Sequence, residues 1–76
     1  MDYSVQHIDA DRYQINLIPT TNEEHSLVQK MPQPNLSAFF GLALRAKLGD
    51  NAALLEIVEH GLDRYSVIAR VGVNIG

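Results

Sequence analysis

A chain of 76 residues with 46% hydrophobic side chains and a formal net charge of −3 is expected to fold as one domain, residues 1–76. The chain has no cysteine, which excludes a disulfide framework or a cysteine zinc site and favours a cytoplasmic protein. The acidic balance disfavours phosphate backbones as partners. No signal sequence is evident, and the longest apolar run ends at Arg45, short of the roughly 18 residues that a membrane span needs, so no membrane contact is expected.

Two half-buried strands are predicted at the start of the chain. Residues 3–8 and residues 12–18 both alternate between two sets of side chains, and in the second segment one set is apolar and the other polar. This two-residue period is typical of strands with one buried face. The segment Asp9-Ala10-Asp11 between them favours a turn, which predicts a β-hairpin, and Pro19 ends the second strand.

Residues 20–31 are compatible with two structures. The composition of residues 26–30 favours a third strand, and a strand is our prediction for the segment. The alternative is a short helix, because Thr21 and Glu24 have the spacing of a capping box and Pro32 would end the element.

A helix is predicted over residues 35–48. Asn35 is a suitable N-cap, and Pro32 and Pro34 are expected to prevent an earlier start. Apolar side chains recur at spacings of three and four around most of the helix, with a thin polar edge. A helix this apolar is covered from two sides within the fold or forms an interface with another copy.

The centre of this helix supplies the candidate interface residues, Phe39, Phe40, Gly41 and Leu42. Their combined apolar surface exceeds what one small sheet and one short helix would cover. A glycine inside a helix costs about 1 kcal/mol relative to alanine and is usually retained where another backbone comes close. We interpret Gly41 as packing tightly on the sheet, and contact with a second copy is the alternative.

A second helix and a long final strand are predicted in the last third of the chain. Gly49 and Asp50 are suitable residues to end one helix and begin the next, which would cover residues 51–60 and end at Gly61. Residues 62–75 then alternate between an apolar face and a face that carries arginines, which indicates a strand. The segments 11–15 and 63–67 share the pattern Asp-Arg-Tyr-polar-aliphatic, which we interpret as two strands that begin alike.

The three histidines, His7, His25 and His60, raise the possibility of a metal site. Glu56 and His60 are four residues apart, a spacing that would place both on one side of the predicted second helix. No other pair of potential ligands has a matching spacing, so we predict neither a metal nor a cofactor.

Catalysis is not expected. The acidic residues with the chemistry of a general acid or base lie in predicted exposed turns, and no serine lies in a nucleophile motif. The glycines are too dispersed to form a phosphate-binding loop. A chain of this size also has little volume for a closed pocket, and the remaining route to a ligand or catalytic site is one shared between subunits.

Nucleic-acid binding is the weaker of two functional hypotheses. The predicted second helix contains two glutamates and, on its middle turns, no side chain suited to reading base edges. A basic face could instead be formed on the open side of the sheet by Arg12, Arg64 and Arg70, near Gln14 and Asn16.

The sequence therefore predicts an α+β fold with a small antiparallel sheet, in the order β-β-(β)-α-α-β, and two helices packed on one face. The C-terminal strand is expected to pair with an N-terminal strand. The favoured function is that of a small cytoplasmic regulatory or inhibitory protein that acts by protein–protein interaction as a homodimer. The alternative is a nucleic-acid-binding regulator that uses the arginine face.

Overall fold

The computed structural model describes residues 1–61 and 64–73, which form two β-hairpins connected by two helices. The strands are β1 (Asp2–Asp9), β2 (Arg12–Ile18), β3 (Ala52–His60) and β4 (Ser66–Val73), and the helices are α1 (Asn22–Lys30) and α2 (Gln33–Leu48). The strands form an antiparallel sheet in the order β1-β2-β4-β3. Helix α2 lies across one face of this sheet and contacts β1, β2 and β3. The predicted α+β class and antiparallel sheet are confirmed, and so is the pairing of the last strand with an N-terminal one.

The hydrophobic core lies between α2 and the two central strands. Alternate positions of β2 and β4 and one side of α2 point into it, as expected for a strand period of two and a helix spacing of three and four. The buried residues are Ile15, Leu17, Val28, Leu36, Phe40, Ala43, Leu44, Ala52, Val67, Ala69 and Val71.

The prediction of a third strand within residues 20–31 is wrong, because the segment forms α1. The Thr21 side chain accepts a hydrogen bond from the Glu24 backbone N–H at 3.1 Å, which is the N-terminal half of a capping box. Val28 is the only residue of α1 that is buried. Local capping therefore decides this segment, and the β propensity of its short apolar stretch does not.

Helix α2 begins earlier than the sequence indicated. It starts at Gln33 with Pro32 as N-cap, and the Leu36 N–H donates to the Pro32 carbonyl at 2.9 Å, so the predicted cap at Asn35 is wrong. Pro34 is tolerated because the first-turn N–H groups of a helix have no partner within the helix. At the other end Gly49 has a φ of 100°, a conformation that favours glycine.

The predicted second helix over residues 51–60 is also wrong, because this segment is strand β3. Two register irregularities interrupt its pairing with β4, one between Leu54 and Glu56 and one between Ile57 and Glu59. Each inserts an extra residue, so the positions that face α2 follow spacings of two and then three. Spacings of three are typical of a helix, and the bulged strand therefore imitates helical periodicity.

The last strand is shorter in the structure than in the prediction. It covers Ser66–Val73, and positions 62, 63, 74 and 75 of the predicted strand lie outside the described residues. Ile15 and Val67 are register partners in the β2–β4 pairing, and each ends one copy of the repeated Asp-Arg-Tyr pattern. The ends of the two similar segments thus meet at the centre of the sheet, but Arg12 lies within β2 whereas Arg64 precedes β4. Position 63, the first residue of the second copy, is outside the described part.

Candidate protein-interaction surface

One side of α2 is committed to the core. Leu36, Phe40, Ala43 and Leu44 are all buried, and Phe40 is 1% exposed. Their spacings of four, three and one place them on the side of the helix that faces the sheet. Of the four candidate interface residues, Phe40 thus belongs to the core and does not reach the surface.

The opposite side of α2 is solvent-exposed and largely apolar. Leu42 is 58% exposed, Ala38 is exposed, and Gly41 is half-buried. We call this side the α2 surface and define it by residues that share one stripe at helical spacing: Pro34, Ala38, Gly41, Leu42 and Arg45. Phe39 is half-buried and borders the stripe.

Three open grooves surround Leu42. One runs between α2 and β1 with a volume of about 240 Å³, and another lies toward the end of α1 with about 320 Å³. The third, of about 480 Å³, lies between α2 and the start of β3 and is lined by Ser37, Ala38, Gly41, Leu42, Arg45, Ala53 and Leu54. Leu42 is therefore a ridge between concave areas, a shape that suits contact with another protein surface.

Gly41 does not pack against the sheet. If a Cβ atom is placed on Gly41, no described atom lies within 4 Å of it, apart from the two adjacent residues and the backbone of the same helix. The expected close packing of Gly41 on the sheet is therefore not what the structure contains. Because a mid-helix glycine costs about 1 kcal/mol, and no intramolecular contact compensates this cost, the open space above it is available to something outside the chain.

The charge of α2 differs from that of the whole chain. Its sequence contains Arg45 and Lys47 and no acidic residue, whereas the chain carries a net charge of −3. The Lys47 Nζ lies 5.4 Å from the centroid of the Tyr3 ring, within the range of a cation–π contact. Basic residues near the C-terminus of a helix also interact favourably with its dipole. The α2 surface is thus apolar at its centre and positive at one end.

The three arginines of the alternative hypothesis do not form one face. Arg12 and Arg70 are register partners on the open side of the sheet. Arg64 precedes β4 and donates through its guanidinium to the backbone carbonyls of Gln29, at 2.5 Å, and Met31. Since these carbonyls lie at the C-terminal end of α1, Arg64 caps that helix and is not part of the proposed arginine face.

Arg70 is occupied by an acidic neighbour. Its Nε lies 3.0 Å from Asp11 Oδ2, and this hydrogen bond lowers the pKa of the Asp11 carboxyl. The same contact raises the pKa of Arg70, with a smaller contribution from the negative charge of Glu56. The open side of the sheet therefore combines arginines with carboxylates and is not a continuous basic patch.

The histidines lie in separate parts of the molecule. His7 stacks on Tyr13 with ring centroids 4.6 Å apart, and His25 stacks on Tyr65 at 5.2 Å. His60 and Glu56 do not share a helix face, because β3 places Glu56 opposite Arg70 on the open side and His60 opposite Val67. No three histidine, aspartate or glutamate side chains in the described ranges could hold a metal ion together.

Glu24 is the most strongly perturbed acidic group in the described part of the chain. Its carboxylate pairs with the Met1 ammonium and accepts hydrogen bonds from the Thr20 N–H at 3.1 Å and the Thr20 hydroxyl at 2.7 Å. These contacts, the ammonium first, lower the pKa of Glu24 to about 2. The ionised carboxylate joins the start of β1 to the start of α1.

Sequence reasoning identified Leu42 and Gly41 but did not include Pro34, Ala38 and Arg45 in the candidate surface. The signal was present, because these residues lie at helical spacing from Gly41 and Leu42 on the same stripe.

None of the helices in residues 1–61 and 64–73 is long and apolar enough to cross a membrane. No protein-family model, curated protein or solved structure matches the chain.

Proposed function

We propose that this chain is a small cytoplasmic regulatory or inhibitory protein that acts by binding another protein through the α2 surface. The observation that carries the proposal is the pairing of Leu42, which is 58% exposed, with the open space above Gly41. A large apolar side chain in solvent and an uncompensated glycine are both unfavourable for an isolated chain. Both are explained if a partner covers this part of α2.

The surrounding surface supports the same proposal. The grooves around Leu42 are lined by residues of β1 and β3 and by Met31, which follows α1, as well as by α2, so a partner can contact several elements at once. Arg45 lines one of these grooves and adds a positive charge beside the apolar centre. An apolar centre with a charged rim is the usual arrangement of a specific interface.

Catalysis is not part of the proposal. Asp11 and Glu24 each pair with a cation, which lowers the pKa of both carboxyls and favours their ionised form. A carboxyl that serves as a general acid needs a raised pKa, which burial away from cations provides. The cytoplasmic location rests on the absence of cysteine from the chain.

The nucleic-acid alternative has less support. Of its three arginines, Arg64 caps α1 and Arg70 is paired with Asp11. Recognition of a phosphate backbone requires several cations on one surface, and its strength falls with salt. Acidic groups beside Arg70 weaken attraction to phosphate.

The proposal is tested by affinity capture from a lysate of the native host, with wild-type chain and two variants as bait. Leu42→Glu places a charge at the centre of the α2 surface. Leu55→Glu is the matched control, because Leu55 is also 58% exposed and lies in β3, where its side chain approaches Gly72 on the open side of the sheet.

We expect a partner that binds wild-type and Leu55→Glu chains and is lost with Leu42→Glu. Burying a leucine contributes about 1.5–3 kcal/mol, so its replacement by a charged residue weakens binding by at least about tenfold. A partner that binds the Leu42→Glu variant and the wild-type chain equally strongly would contradict the assignment of the α2 surface. The proposed function would be contradicted if the wild-type chain captured neither a different protein nor further copies of itself.

A further inference from the structure

We infer that the partner of the α2 surface is a second copy of this chain, with the two α2 helices antiparallel and crossing at Gly41 and Leu42. This inference rests on the proposed function, because it names the partner of the same surface. A two-fold symmetric interface brings one patch against itself, so the patch must contain both a projection and the recess that receives it. The structure places these two features side by side on α2.

Leu42 is the projection and Gly41 is the recess. Leu42 is 58% exposed, and the space above Gly41 is open. If Leu42 of one copy lies over Gly41 of the other, the symmetry places Leu42 of the second copy over Gly41 of the first. Each Leu42 then fills the recess at Gly41 of the other copy.

The rest of the helix is compatible with this crossing. When Leu42 opposes Gly41 in an antiparallel pair, Arg45 opposes Ala38, so a large side chain again faces a small one. Residues 41 and 42 also lie close to the middle of the 16-residue helix, so both halves of α2 take part in the contact. Small residues at the crossing allow the two helices to approach closely.

The charges select the antiparallel orientation. The N-terminal half of α2 carries no charged residue, and Arg45 and Lys47 lie at its C-terminal end. In an antiparallel pair each basic end lies beside the uncharged half of the other helix. In a parallel pair the two Arg45 side chains would lie next to each other, and like charges repel.

Oligomeric state is the direct test. Size-exclusion chromatography with light scattering measures the mass of the purified chain from about 1 to about 500 μM, a range that brackets weak and moderate dimers with small interfaces. We expect a concentration-dependent rise from the 8.4 kDa of one chain toward twice that mass. A mass that stays at one chain over the whole range would overturn the inference.

Three variants locate the interface. Leu42→Glu is expected to weaken dimerisation at least about 100-fold, because the charge is introduced twice per dimer, whereas Leu55→Glu leaves it unchanged. Gly41→Leu fills the recess and is expected to give a folded monomer, since the added side chain has open space in the isolated chain. Circular dichroism verifies that each variant is folded. Dimerisation of both Leu42→Glu and Gly41→Leu at wild-type strength would overturn the inference.

The orientation is tested by disulfide cross-linking, for which the natural absence of cysteine leaves the introduced thiols without competitors. A mixture of Ala38→Cys and Arg45→Cys chains is expected to form a cross-linked dimer, because these positions oppose each other in the antiparallel pair. Arg45→Cys alone is expected to cross-link poorly. Efficient cross-linking of Arg45→Cys alone, with no cross-link between an Ala38→Cys chain and an Arg45→Cys chain in the mixture, would overturn the antiparallel arrangement.

A monomeric chain that still captures a different protein through Leu42 would overturn this inference and leave the proposed function intact. A monomeric chain that captures nothing would contradict both.

Discussion

Replacing Gly41 with alanine is expected to stabilise the monomeric chain by about 1 kcal/mol, the difference in helix propensity between the two residues. The added methyl group meets nothing within 4 Å in the described structure, so no steric cost opposes this gain. Gly41 lies within α2 and does not have a positive φ, so alanine can adopt its backbone conformation. Among the described residues, the glycine with a positive φ is Gly49. Alanine also has fewer conformations in the unfolded chain.

The expected change is large enough to measure. For a domain of 60–100 residues, 1 kcal/mol corresponds to a rise in Tm of about 4–8 °C. Urea unfolding followed by circular dichroism gives the free energy of unfolding directly, and an unchanged m-value would indicate that the same surface unfolds. The experiment is done at low micromolar concentration, since the inferred dimer would add stability at higher concentration.

Gly49→Ala is the control, because the same substitution is expected to have the opposite effect there. The space around Gly49 is equally open, but its φ of 100° is a conformation that L residues rarely adopt. We expect a loss of about 1 kcal/mol at this position. If Gly41→Ala is neutral or destabilising in the dilute monomer, Gly41 has an intramolecular role and the argument for an open recess fails.

Three further predictions concern stability. Phe40→Ala is expected to lower the free energy of unfolding by about 3–5 kcal/mol, because Phe40 is 1% exposed. Phe39→Ala is expected to lower it by less than half as much. Equal losses of unfolding free energy, measured by urea unfolding, would contradict the assigned core. Glu24 has a pKa of about 2 in the folded chain against an ordinary value of 4.5, so its contribution is complete above pH 4.5 and is lost as the pH falls toward 2. Glu24→Gln is expected to make unfolding less pH-dependent in that range, and identical profiles would contradict the ion pair. Arg64→Ala is expected to accelerate hydrogen exchange at the C-terminal end of α1, and unchanged exchange there would show that the Arg64 contacts do not hold that end.

The parts of the fold that sequence predicts correctly are those whose periodicity is regular. Residues 12–18 and the described part of the last strand alternate without interruption, and their apolar sides form the core. The body of α2 is likewise identified from spacings of three and four. In these segments local preference and burial point to the same structure.

The errors occur where local pattern and tertiary environment differ. In β3, the bulge between Leu54 and Glu56 moves Ile57 onto the side that faces α2, three residues after Leu54, and the resulting pattern matches a helix. In α1, one buried valine leaves little periodicity to read, and the cap at Thr21 carries the information. Sequence spacing alone does not reveal a bulge, because the bulge is defined by the partner strand.

The sequence predicted the central residues of the candidate surface, Gly41 and Leu42, but not the other residues that belong to it. The excess of apolar residues around position 40 correctly indicated that some would remain exposed, and Leu42 does. Distinguishing it from Phe40 requires the direction in which the helix faces the sheet, which the neighbouring strands determine. Arg64 illustrates the same limit, because its role as a cap depends on α1 lying beside the start of β4.

The pairing of β2 with β4 has a consequence for folding kinetics. Each hairpin joins neighbouring segments of the chain, whereas the β2–β4 contact brings Arg12 beside Arg70, near the two ends of the sequence. Closing so long a loop costs entropy before any contact is gained, so it is expected to follow hairpin formation. Formation of the central seam of the sheet would then be the rate-limiting step, and mutations at Ile15 or Val67 would slow folding more than mutations in either outer strand.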